Sequence, residues 1–452
     1  MKRETTPQRL LEGKKILFAN FPADGHFNPM TGLAIHLKYL GADVRWYSSR
    51  TYTEKLKKLG IHHYPFKKAV DVAGNDFDAA FPERAKKKTL LGKLKFDIIH
   101  AFVLRGPEYY IDILNIQKEF QFDMVIADCA FAGIPFIKEI IKKPVVAIGV
   151  MPLTETSKDA PPAGLGMTPP KTFFGKMKQE MIRFISDKLI FKQPNKVMYQ
   201  MLAQYNVPHN GESLFDMITK KSDILLQSGT PGFEYYRSDL GKNIHFIGAL
   251  LPYNTSVNKA QWFDNRLNEF QQVVLVTQGT VEKDVEKLLV PTLEAFKNSK
   301  TLVVCTTGGS KTQELRKKYP QYNIIIEDFI PFGDVMPYAD VYITNGGYGG
   351  VMLGIENKLP LVVAGIHEGK NDINARVGYF KLGINLKKER PTSQQIFNAV
   401  KEVIEDHEYK QNVERLSGEF RQYDPNKLST EHIIGLLSSK TRIAKKEAVD
   451  IY

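Results

Sequence analysis

After the apolar run Lys15 to Ala19, the segment Phe21-Pro22-Ala23-Asp24-Gly25-His26-Phe27-Asn28-Pro29 sets a histidine in a short turn ahead of the helical pattern Met30 to Leu40. A histidine at a helix entrance suits general-base chemistry. Its ordinary pKa of about 6.5 lets it take a proton from a hydroxyl near neutral pH, provided that a carboxylate orients the ring. Asp128 closes the run Met124 to Ala127, and open α/β sheets gather their chemistry at the carboxyl ends of neighbouring strands, so a His26–Asp128 dyad is expected. Asp24 and Asp123 compete for the same role, and Asp128 would equally serve as the N-cap of a helix over 130–141. His36 lies among apolar residues and reads as packed, while His62 and His63 belong to no motif.

A second cluster is built from glycine. Thr344-Asn345-Gly346-Gly347-Tyr348-Gly349-Gly350 follows an apolar run and precedes the helical pattern Val351 to Asn357. Such a turn lets backbone N–H groups converge at a helix N-terminus, where the dipole also favours negative charge, so a pyrophosphate is the natural ligand. No Gly-Lys-Ser/Thr follows, which excludes a Walker loop, and the spacing is not that of a dinucleotide fingerprint. Gln278-Gly279-Thr280, after Val273 to Thr277, offers a second small-residue turn able to close on the same phosphates.

These residues need strands to hold them. Short β-branched runs alternate with helical patterns along the 452 residues, which predicts an α/β chain of parallel sheets wrapped by helices. Strands are expected at 15–19, 43–47, 124–127 and 145–148, and in a second series at 273–276, 302–305, 323–326, 341–343 and 361–363. Two doubly wound sheets follow. Gly248 to Ser256 lacks periodicity and suits an interdomain linker, and the Pro/Gly-rich stretch Asp159 to Pro170 reads equally as a loop over a cleft or an ordinary surface loop.

Composition narrows the class. Hydrophobic residues at 43% and charged residues at 25% describe a soluble globular protein, and two cysteines, Cys129 and Cys305, exclude a disulfide scaffold or a cysteine-based zinc site. The polar N-terminal segment lacks the apolar core of a signal peptide, so the cytoplasm is the expected compartment. No apolar stretch reaches the roughly 18 residues that span a bilayer. The net charge of +12 favours anionic ligands or surfaces. One basic cluster, Arg84, Lys86, Lys87, Lys88, Lys93 and Lys95, interleaves with leucines and reads first as a solvated face, leaving a weak peripheral membrane contact open. No nucleic-acid module accompanies it.

The order of these motifs resembles the family-one inverting glycosyltransferases, whose two Rossmann-like domains face a cleft in the architecture called GT-B; the similarity is greatest to the bacterial branch acting on macrolides and other natural products. The resemblance spans nearly the whole chain. It implies an acceptor-binding domain over 1–245, a linker over 246–268, a nucleotide-sugar domain over 269–430 and a helix or tail over 431–452 able to pack back on the first domain. Gly25-His26-x-x-Pro29 looks like the family's base motif, and Asp128 stands where its paired aspartate does. Phe246-Ile247-Gly248 resembles the start of the linker. Gln278, Gly279 and Thr280 match the donor-side turn, Phe329-Ile330-Pro331 the base-stacking segment, and Asn345 through Gly350 the diphosphate loop, so Asn345, Gly346, Gly347, Tyr348, Gly349 and Gly350 are donor-site residues by resemblance.

The departures carry information too. Asn345 replaces the usual histidine, Phe332 the usual glutamine and Leu353 the glutamate that holds both ribose hydroxyls, which makes a 2′-deoxyribose donor such as a dTDP-sugar plausible. Glu368 and Asp372 are the nearest substitutes for the pair that binds sugar hydroxyls. An apolar acceptor site is expected from Phe27, Phe81, Phe96, Phe102, Phe131 and Met151, with Phe173 and Phe174 as further candidates. The implied reaction moves a sugar from a nucleotide sugar to a small-molecule acceptor in a monomer or homodimer, with no metal and no cofactor beyond the co-substrate. A nucleotide-sugar epimerase on the same fold and a non-catalytic nucleotide-sugar-binding protein are the alternatives. A nicotinamide oxidoreductase is disfavoured because Pro22-Ala23-Asp24 stands where a glycine fingerprint would.

Overall fold

Strands apolar on both faces are stable only inside a sheet that helices cover on both sides. The computed structural model, which describes residues 9–73, 81–253, 261–279, 282–367 and 369–449, contains two such sheets. The first holds β1 (Lys15–Ala19), β2 (Asp43–Ser48), β3 (His62–Pro65), β4 (Met124–Asp128), β5 (Val145–Gly149), β6 (Ile224–Ser228) and β7 (Ile244–Gly248). They are parallel in the order β3-β2-β1-β4-β5-β6-β7. The second holds β8 (Gln272–Thr277), β9 (Thr301–Thr306), β10 (Ile324–Glu327), β11 (Val341–Thr344), β12 (Leu361–Val363) and β13 (Gly383–Asn385). Its order is β10-β9-β8-β11-β12-β13, again parallel throughout.

Both orders reverse once, at β1/β4 and at β8/β11, and such switch points open a crevice at the strands' carboxyl ends. Register then decides which residues meet there. Ala19 pairs with Ala127, which sets Asn20 beside Asp128, and Thr344 pairs with Thr277, which sets Asn345 beside Gln278. The two candidate clusters are thus the two switch points.

Four strands escaped the sequence reading. β3 and β13 are edge strands with few apolar residues, β7 is an edge strand whose apolar run is broken by His245, and β6 has only Ile224-Leu225-Leu226 to mark it. β10 lies one residue later than expected because Asn323 is a bracket, its Nδ2 donating to the carbonyls of Phe296 and Thr301. The first sheet extends to Gly248, three residues past the boundary expected at 245. At the far end of the expected linker, Leu267 is already buried in the second core and the Trp262 amide donates to Asp334.

Each sheet has cores on both faces. Phe18, Trp46 and Phe27 anchor the first on one side, and Val274, Ile343 and Leu289 the second. The C-terminal helix Pro425–Val449 crosses back, burying Ile433 and Leu437 in the first core beside the helix Asp24–Tyr39. No described helix is long and apolar enough to cross a membrane.

Candidate active site at the two switch points

Asp128 is fully buried where β4 ends, and its carboxylate is oriented by three partners. Oδ2 accepts the Phe21 amide at 2.6 Å, and Oδ1 accepts the Ala130 amide at 2.8 Å and meets His26 Nδ1 at 2.6 Å. One residue therefore both fixes the turn after the strand and orients the histidine. With a proton on Nδ1 toward the carboxylate, Nε2 carries the lone pair that can accept another. His26 is only 16% exposed, in the first turn of the helix Asp24–Tyr39. The competing carboxylates are engaged elsewhere: Asp24 with Lys55 Nζ at 3.0 Å, and Asp123 with the Lys15 amide at the opposite end of the sheet.

Aromatic rings extend from this dyad. Phe21 sits edge-on to His26 and stacks on Phe102 at 4.5 Å, while Phe96 stacks on His100 at 3.9 Å with Phe81 against its edge. Phe102 thus continues the wall that Phe21 begins, while Phe81, Phe96 and His100 pack on one another, with Phe96 buried. The expectation fails for four other rings. Phe27 is buried against Tyr52 and Trp46, and Phe131 against Tyr109, so both are core rather than acceptor wall. Phe173 and Phe174 lie on the outer surface. Met151 does reach the junction, its methyl 3.8 Å from where a Cβ on Gly369 would lie.

At the second switch point the glycine turn opens the helix Tyr348–Glu356, whose N-cap is Gly347. By helix geometry the first-turn amides of Tyr348, Gly349 and Gly350 have no partner within the helix, which gives an anion cradle. Gly346 takes a positive φ of 84°, and a Cβ there would fall 1.8 Å from Asn374 Oδ1, inside bonding distance. Alanine at 346 is therefore expected to strain the loop by roughly 1–3 kcal/mol, weakening nucleotide binding about 5- to 150-fold by calorimetry. Gly349 is the contrast, because a Cβ there meets nothing within 4 Å. Alanine at 349 should leave the melting temperature unchanged or slightly raised while weakening nucleotide binding, since the added methyl enters the cradle.

The remaining donor-side residues divide. Asn345 spends its side-chain amide on the Gln278 carbonyl, tying the two turns together instead of reaching freely toward a phosphate. Gln278 is buried with Oε1 unpartnered, and Gly279 turns at φ 79°. Phe329 is 66% exposed beside Gly309, as a stacking platform requires, whereas Ile330 is buried beneath it and Phe332 packs against Tyr342 in the core. Leu353 packs against the second core, presenting no acceptor for a ribose hydroxyl. Thr280 and Glu368 lie outside the described residues.

Several expected ligands instead join the two sheets. The Tyr348 hydroxyl donates to the Ser228 carbonyl at 2.6 Å, so its side chain leaves the phosphate cradle to the backbone. Asp372 accepts the amides of Gly164 and Gly166 at 2.5 and 2.6 Å, and Asn371 donates to the Gly164 carbonyl. Both carboxylate oxygens of Asp372 are thus occupied by the Pro/Gly-rich loop, which straps across the cleft. Arg376 forms a buried ion pair with Glu234 and lies 4.2 Å over the Tyr235 ring. Burial opposes the guanidinium charge, but Glu234 and Tyr235 outweigh it and hold Arg376 above its ordinary value. The partners are 142 residues apart, so no local pattern announces them.

Residues 112–426 match the family model described as UDP-glucoronosyl and UDP-glucosyl transferase. This chain belongs to that family. It is 30% identical over 426 residues to 4'-demethylrebeccamycin synthase of Lentzea aerocolonigenes, covering 94% of this chain and 100% of that one. It is 28% identical to UDP-glycosyltransferase 2 of Phaeomoniella chlamydospora, over 90% and 92% of the two chains. The crystal structure of CalG4, the calicheamicin glycosyltransferase, superposes with a TM-score of 0.70 at 18% identity, over 94% of this chain and 98% of that chain, and establishes the GT-B fold. The protein is a hexosyltransferase.

Proposed function

We propose that this hexosyltransferase inverts the anomeric centre as it moves a hexose or deoxyhexose from dTDP-rhamnose, dTDP-glucose or UDP-glucose to a hydroxyl of a small lipophilic acceptor such as a flavonoid, polyketide or macrolide. The observation that carries this reading is the 2.6 Å contact between His26 and the buried Asp128. The acceptor lies along Phe21 and Phe102, and its hydroxyl gives its proton to His26 Nε2 as the oxygen attacks the anomeric carbon. Asp128 balances the imidazolium that forms. The bond to the diphosphate breaks with its electron pair, and the growing charge meets the first-turn amides of the helix Tyr348–Glu356. The relatives named for rebeccamycin and calicheamicin support a small organic acceptor.

Incubation with each donor and a panel of hydroxylated aromatics and macrolides, followed by mass spectrometry, is expected to give acceptors heavier by one hexose or deoxyhexose. Altered donor sugar with no conjugate would refute transfer. Since backbone dipoles carry the leaving charge, we also propose that no metal takes part, and EDTA should leave the rate unchanged.

Leu353 supports a thymidine donor. Thermal stabilisation by dTDP should exceed that by UDP, reaching on the order of 2–3 kcal/mol at about 100 times Kd. A larger shift with UDP would mean that other groups hold the ribose.

A further inference from the structure

The helix Phe173–Ile185 is packed inside out. Its inward side is polar: Gln179 and Ser186, just past the helix end, are 3% and 1% exposed, and Gln179 Nε2 and Arg183 Nη2 both donate to the Ala160 carbonyl. At about 100° per residue, Phe173, Phe174, Met177, Met181, Phe184 and Ile185 fall within one stripe about 120° wide, diametrically opposite Gln179. These six side chains are 40–79% exposed, and Leu189 on the following turn is 65% exposed. Lys95 Nζ donates to the Leu189 carbonyl at 2.8 Å, which brings the helix Leu90–Asp97 alongside and adds Leu91 and Leu94, 42% and 46% exposed. Soluble proteins rarely leave so much contiguous apolar surface in water unless something covers it.

Charge identifies the cover. Between 171 and 192 the chain carries six basic residues against two acidic ones, and between 84 and 95 six basic residues and no acidic one, of which Arg84 pairs with Asp97. A second copy of the chain would press two such basic margins together, whereas an anionic surface neutralises them. An apolar stripe flanked by lysine and arginine is the composition that lies in the boundary between lipid headgroups and acyl chains. Location agrees. Ala160, which anchors the helix, belongs to the loop that reaches Asp372, and the helix Leu90–Asp97 that carries Lys95 runs on into the turn Ile98–Val103, whose Phe102 stacks on Phe21 beside His26.

We propose that this face seats the enzyme on an anionic lipid bilayer, with the stripe of the helix Phe173–Ile185 inserted at the interface and the flanking lysines on lipid phosphates. If the acceptor is lipophilic, as proposed above, the aromatic wall then opens beside the phase in which it dissolves. Vesicle binding is read without turnover, so failure of sugar transfer would count against the acceptor reading alone.

The test is sedimentation of the full chain with phosphatidylcholine vesicles, with and without about 30% phosphatidylglycerol. Most of the protein should pellet with anionic vesicles and little with neutral ones, and added salt should weaken the binding. The combined variant Met181→Ser, Phe184→Ser, Leu189→Ser should bind anionic vesicles roughly tenfold more weakly or worse, at an unchanged melting temperature. Lys176→Glu with Lys178→Glu, which leaves the stripe intact, should weaken binding in the same direction. Absence of pelleting with anionic vesicles, or equal pelleting with both kinds, would overturn the proposal. So would a dimer that the serine variant dissociates while vesicle binding is missing.

Discussion

Replacement of His26 by alanine should lower kcat by about 10²- to 10⁴-fold, the range that a positioned general base contributes, and leave nucleotide affinity as it was. The separation follows from the fold. His26 belongs to the β1/β4 switch point, and the phosphate cradle to the β8/β11 switch point on the other sheet. Asp128→Asn should fall in the same direction for a different reason. It keeps the shape of the side chain but loses the charge that orients and balances the imidazole, and its NH2 group, a donor only, leaves either the Phe21 amide or the Ala130 amide without an acceptor. Steady-state rates at saturating donor, with calorimetric binding of the nucleotide, check both. Normal turnover of the alanine variant would remove His26 from the mechanism.

Arg376→Ala should be the most destabilising of the changes considered, at roughly 3–5 kcal/mol, because it strands the Glu234 carboxylate in a buried position. Glu234 keeps two backbone donors, the amides of Leu153 and Tyr235, and these set the loss toward the lower end of that range. Removing both charges, as in Glu234→Gln with Arg376→Met, should cost less than the single change, since no unpaired ion remains. Urea unfolding reads both. A single-variant loss below about 1 kcal/mol would show that water reaches the pair, as it reaches exposed salt bridges. Because the pair ties the β6–β7 connection to the helix Lys370–Tyr379, its loss should also loosen the cleft and raise KM for the donor.

Much of this was legible in the residues themselves. Runs such as Val273 to Val276 and Met124 to Ala127 are apolar on both faces, which only a covered parallel sheet accommodates, and the turns after them therefore had to carry the chemistry. That is why the His26–Asp128 contact and a glycine turn opening a helix could be expected without a structure. Edge strands were harder, since β3 and β13 bury too little to need an apolar run. Aromatic direction was not legible at all: Phe27 and Phe102 look alike in sequence, yet one packs on Trp46 and the other reaches Phe21. Their place in a motif marks Asp372 and Tyr348 as donor ligands, but their hydrogen-bonding groups engage partners more than 100 residues away in the chain. The outward stripe of the helix Phe173–Ile185 shows the converse. A helical period finds an apolar face, but only the burial of Gln179 reveals which side is turned to the solvent.

The central claim is a single in-line displacement by an oxygen that His26 deprotonates. The anomeric configuration of the conjugate, read by proton NMR after transfer from an α-configured donor such as UDP-glucose or dTDP-glucose, tests it most directly. The account predicts a β-linked product from the wild-type enzyme; an α-linked product would mean a route through a covalent sugar–enzyme intermediate or a same-face attack, and would contradict it.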